Sequence, residues 1–120
     1  MSPETTEALR AGQALFNQRD WFDAHEVWEA AWRKEEGETK LLLQALILVA
    51  AGCHKATRNE PRGAVKLLGA AFAKLAGFQD GLAGLALDEF RRAVGDSLVA
   101  AERWLAGGEA LSPALQLRRS

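Results

Sequence analysis

From Leu41 to Cys53 the chain reads L-L-L-Q-A-L-I-L-V-A-A-G-C, with Gln44 as the only polar side chain in the run. As a helix, this stretch is apolar on nearly every side. A helix of that kind is tolerated at the centre of a bundle, where neighbours cover it all round. Ala45, Ala50, Ala51 and Gly52 are small, so neighbouring backbones can approach closely. The run is too short to span a bilayer, which takes about 20 residues. It therefore predicts the central element of a helical protein and no membrane partner.

The flanking sequence agrees. Period-two alternation is scarce, Tyr is absent and β-branched residues are few, so strand signals are weak. Ser2 is placed to cap a first helix, with Pro3 at its first position, running to about Gln18. Asn17 to Asp20 forms a corner, and Asp20 is the expected N-cap of a second helix that Gly37 closes. A third helix starts at Glu38 or Thr39 and runs to about Arg58. Pro61 opens a fourth, carried to about Ala76 by Val65, Leu68, Phe72 and Leu75. The glycine-bearing stretch from Gly77 to Leu87 reads as a loop. Asp88 is the expected cap of a fifth helix, with Phe90, Val94, Leu98, Ala101 and Leu105 inward and Gly107-Gly108 stopping it. The tail beyond reads as extended or loosely held. The expectation is one all-α domain over residues 1–120, a bundle of about five helices around a central apolar one.

Bulk properties narrow the function classes. A chain of 120 residues, 48% hydrophobic, can bury an adequate core without a staple. The lone Cys53 excludes an intrachain disulfide and any multi-cysteine metal site, and reads as a small core residue in preference to a nucleophile. A net charge of −1 offers no general attraction to nucleic acid. The polar opening M-S-P-E-T-T-E lacks the basic start and apolar run of a signal peptide, so a cytoplasmic location is expected.

Chemistry is concentrated in D-W-F-D-A-H-E-V-W-E-A-A-W, Asp20 to Trp32. On a helix, Trp21, His25, Trp28 and Trp32 share one stripe, and Glu29 lies on its edge four residues after His25. Imidazole and carboxylate in an aromatic face must be paired, hydrogen-bonded or bound to a metal. The pattern His25-Glu26-x-x-Glu29 differs from the zinc-protease signature H-E-x-x-H, which requires a second imidazole where Glu29 stands. Two ligands at i and i+4 can reach one divalent cation, but catalytic zinc usually has three protein ligands. Gln44, His54, Asp20 and Asp23 are the candidates for a third. In a simple antiparallel hairpin, His25 lies level with Leu46, and Gln44 falls between His25 and Glu29. His54 is then displaced by roughly 15 Å along the axis. That register favours a His25–Glu29–Gln44 network and strains a His25–His54 metal pair, unless the helices cross steeply. A hydrogen-bonded structural cluster and a metal site both remain open. A second feature is the turn from His54 to Lys66, where Lys55, Arg58, Arg62 and Lys66 crowd the start of the fourth helix. Arg58 and Arg62 could hold a small anion there; the alternative is a solvated surface offsetting Glu60.

The blocks F-N-Q-R-D-W-F-D-A-H-E-V-W-E-A-A-W, Q-A-L-I-L-V-A-A-G-C-H and R-N-E-P-R-G-A resemble the family catalogued as domain of unknown function 309. The likeness covers Leu15 to about Leu75. It falls on Phe16, Asn17, His25, Glu26, Trp28, Glu29, Trp32, Gln44, Ala50, His54, Asn59 and Gly63-Ala64. Arg19 departs from a place where a small residue is common, and Leu46 from a frequent small or polar one. The resemblance implies a small helical prokaryotic protein labelled a metal-dependent hydrolase. On that reading His25 and Glu29 bind one divalent ion of unknown identity, Glu26 is the general base, and His54 is a further ligand or acid. Gln44, Trp28, Trp32 and Asn59 support the site. The alternative is a non-catalytic helical module that binds a small anionic ligand or a protein partner, with His25, Glu29 and Gln44 as a buried network. Self-association is compatible with either.

Overall fold

Ser2 accepts a hydrogen bond from the Thr5 N–H at 3.1 Å, so the first helix begins where its capping residue predicts. The computed structural model describes residues 1–120 as five α-helices: α1 (Pro3–Asn17), α2 (Trp21–Trp32), α3 (Gly37–Thr57), α4 (Pro61–Leu75) and α5 (Leu87–Leu105). The expected all-α single domain is what forms. Two N-terminal details differ. Asp20 caps α2 only through its carbonyl, which accepts from Ala24 N–H, and its side chain makes no cap bond. At α5 the cap is supplied from the preceding loop: Asp80 accepts from Asp88 N–H at 3.1 Å, so Asp88 is the residue capped and not the cap.

Consecutive helices pack on one another, α1 on α2, α2 on α3, α3 on α4 and α4 on α5. Phe16 meets Phe90 at 5.6 Å between ring centroids, which returns α5 to α1. Close approaches need glycine. A Cβ on Gly12 would lie 2.1 Å from Trp28 Nε1, and one on Gly95 would lie 2.8 Å from the Phe72 ring. Burial of Trp28, Phe16, Phe90 and the leucines of α3 and α4 forms one continuous core. Leu105, expected inward, is 41% exposed because it sits in the last turn of α5, beyond the core.

The C-terminal segment corrects the expectation of a loose tail. It is extended but firmly held. Asn17 accepts from Leu117 N–H at 2.8 Å and donates to Leu117 O at 3.0 Å, and Gln13 donates to the same carbonyl at 2.6 Å. Leu115 and Leu117 are buried, two residues apart, as one face of an extended segment must be.

α3 packs on both α2 and α4 and carries more buried residues than any other helix, as a central element should, but the all-round cover expected of it is not complete. Leu42, Leu46, Val49, Cys53 and Ala56 are buried, but Leu41, Gln44, Leu48 and Ala51 on the other side are not. Only α2 and α4 pack closely on this helix, so its cover is partial. The helix also outruns its apolar segment. With 21 residues it is long and apolar enough, by length and composition, to cross a membrane; half of its apolar window is buried against the bundle.

Candidate functional site

α2 separates two kinds of chemistry. Trp21, Ala24, Trp28 and Ala31 face the core, and Trp28 Nε1 donates to Leu9 O at 3.4 Å. Trp28 is therefore packing, not a ligand wall. Next to this stripe stand His25, Glu26 and Glu29, whose ligating atoms all lie within 4.8 Å of one another. His25 Nε2 is 3.3 Å from Glu29 Oε2, and its Nδ1 is 3.3 Å from Glu26 Oε1. The Nδ1 atom is inaccessible to water yet lacks a partner with hydrogen-bond geometry. Glu29 continues the ladder, its Oε1 accepting from Arg33 at 2.5 Å. The cluster is not the deeply buried network expected, since His25 is 24% and Glu29 29% exposed.

The other expected residues divide. Gln44 makes no hydrogen bond to His25 or Glu29, so the three-residue network is not assembled. The hairpin register fails in the opposite sense from that expected. Phe22, His25, Ala51, His54 and Lys55 line one cavity of about 110 Å³, and the Phe22 ring lies 5.4 Å from that of His54. The connection from α2 to α3 ends in extended Glu36 and left-handed Gly37. His54 thus shares a cavity with His25, but it does not join the 4.8 Å cluster; Asp20 and Asp23 are also outside it. A space of this size holds about three or four waters. It is far below the ≈ 300 Å³ of a drug-sized ligand pocket.

Trp32 is half-buried with Lys40 over its ring at 4.5 Å, a cation–π contact that fixes the start of α3. Asn59 serves the backbone. Its φ of +61° ends α3 in the left-handed region, which Asn tolerates better than most residues. Arg58 and Lys55 both approach Glu60, at 3.5 and 3.7 Å, so half of the basic turn is already compensated. Arg62 is exposed and unpaired. Cys53 is buried and its thiol is pushed up to about 12 by desolvation, which makes it an inert core residue. The largest hollow, about 650 Å³ between the start of α1 and the far side of α2, contains no imidazole.

His25 and Glu29 could hold a divalent ion between them, two of the three protein ligands that a catalytic zinc usually has. One imidazole nitrogen and carboxylate oxygens suit zinc, manganese or nickel, and Arg33 occupies only the Glu29 oxygen turned away from His25. A carboxylate on the opposite ring nitrogen is how metal-binding imidazoles are commonly oriented, and Glu26 stands there. Two residues escaped sequence reasoning altogether. Phe22, 53% exposed over both imidazoles, carried no signal beyond its neighbours, and Gly12 could have been noticed as the only small residue one turn after Leu9.

Residues 9–67 match the family described as "Domain of unknown function (DUF309)". No curated protein matches the chain.

Proposed function

Through residues 9–67 the chain belongs to the domain of unknown function 309 family, and from that premise we propose that it is a metal-dependent hydrolase with its ion on α2. His25 Nε2 and Glu29 Oε2 are the ligands, and Glu26 holds the imidazole by its other nitrogen. The observation that supports this is the 3.3 Å approach of each carboxylate to a different ring nitrogen of His25. A divalent ion bound there supplies Lewis acidity, which brings water toward ionisation at neutral pH. His54, across the small cavity, is placed to exchange a proton with a substrate group entering beside Phe22. Glu26 is then an orienting group and not the general base that the sequence suggested. The cavity admits only the reacting end of a substrate.

The test is metal content of untagged protein, with melting temperature measured on addition of zinc, manganese and nickel. The expected result is bound metal and a rise in melting temperature that is abolished in Glu29→Gln. Less than about a tenth of an equivalent of metal, with no rise at millimolar metal, overturns the proposal, since any ligand that binds only the folded state must stabilise it.

A second reading has its own observation. His25, Glu29 and Arg33 stand at i, i+4 and i+8, a ladder that stabilises a helix surface without any ion. In that case the chain is a non-catalytic module, and Arg62 and Lys66 are the free cations for a small anionic ligand. Protection of the fold by inorganic phosphate and indifference to metals is the result that selects this reading.

A further inference from the structure

α3 has the composition of a helix covered all round, yet one side of it is only partly covered. Leu41, Gln44, Leu48 and Ala51 recur at steps of three and four on the side away from Leu42, Leu46, Val49 and Cys53. Leu41 is 55% exposed, and Phe22 of the adjoining α2 is 53% exposed. Apolar side chains on one continuous face, rimmed by charge, mark an interaction surface.

We propose that a second copy of this chain covers this face. The two copies are related by a two-fold axis running along α3, so that α2 of each lies over α4 of the other. The charges select that axis. α2 and α4 both pack on α3. At the level of Lys55, Phe22 and His25 adjoin α3 on one side, and Gly63 lies against the Lys55 stem on the other. The α2 edge at this level bears Glu26, 58% exposed, and the α4 edge bears Lys66, exposed and without an ion pair. An axis along α3 sets Glu26 of one copy against Lys66 of the other, twice. An axis across α3 sets glutamate against glutamate and lysine against lysine, which is repulsive. Size is sufficient: the molecule measures 44 × 25 × 21 Å along its principal axes, and either of its long sides accommodates the roughly 800 Å² per partner of a standard interface. A net charge of −1 gives the copies little mutual repulsion. The interface does not depend on whether α2 binds a metal.

Sedimentation velocity over a concentration series tests the proposal. Wild type is expected to sediment as a dimer, and Leu41→Lys as a monomer with unchanged helical circular dichroism, since Leu41 is 55% exposed. Glu26→Lys is expected to weaken association at least about tenfold, and Glu26→Lys with Lys66→Glu to recover it. Wild type that stays monomeric at about 100 μM, weaker than useful dimer affinities, overturns the proposal. So does a Leu41→Lys protein that still dimerises. A double charge exchange that recovers nothing overturns the axis, and with it the assignment of α2 over α4.

Discussion

On one side of α2, Trp28 is fully buried and a methyl group on Gly12 would come within 2.1 Å of its indole nitrogen. On the other, His25 is 24% and Glu29 29% exposed, with Glu26 also beside His25 and Arg33 paired with Glu29. One helix thus carries a face with no spare volume beside a face with room to rearrange. The first face is fixed by close packing, in which even one methylene is felt. The second is held by solvated ion pairs that cost little to break. Binding or catalysis can be accommodated only on the second, because a group that must meet water and ligand cannot also be a core residue.

This contrast can be broken in order of expected effect. Gly12→Ala should be the most damaging change, destabilising by about 3 kcal/mol through overpacking against Trp28; chemical denaturation measures it, and a loss below about 1 kcal/mol would mean that α1 simply slides away. Asn17→Ala comes next. It removes both side-chain hydrogen bonds to Leu117 and should cost about 1–2 kcal/mol, with faster amide exchange at Leu117 as its local signature. His25→Ala should cost less than about 1 kcal/mol, as expected for exposed pairs, while abolishing any metal-dependent rise in melting temperature. A loss of several kcal/mol there would place His25 with Trp28 and erase the distinction between the faces. The smallest effect is a gain. Arg19 holds φ at +67° between α1 and α2, a conformation that costs a side-chain-bearing residue about 1–2 kcal/mol. Glycine regains part of this, so Arg19→Gly should stabilise by about 0.5 kcal/mol, seen as a higher melting temperature.

The helices were legible because their signals are local. Ser2, Pro3 and Pro61 punctuate the chain, and the three- and four-residue steps of Val65, Leu68, Phe72 and Leu75 need no knowledge of what they pack against; Gly37, expected to close α2, instead opens α3, because α2 has already ended at Trp32. The pairing of His25 with Glu29 was legible for the same reason, being an i, i+4 contact within one helix. The position of His54 was not. It depends on how α3 crosses α2, and a hairpin drawn as two parallel rods placed it a long way from the cavity that it lines with His25. The tail was missed because Leu115 and Leu117 form too short an alternation to stand out, and because their anchor, Asn17, lies at the other end of the chain.

By itself the sequence determined the all-α class, the five helices, the burial of Trp21 and Trp28 and the adjacent imidazole and carboxylates. Each follows from dihedral preference, periodicity or a spacing of four residues. Only the tertiary structure decided that Gln44 stands apart from the cluster, that His54 joins the cavity, and that the most apolar helix is only partly covered on one side. Those outcomes depend on crossing angles and on which neighbours a face meets, which are set by the packing of whole helices and written in no single stretch of residues.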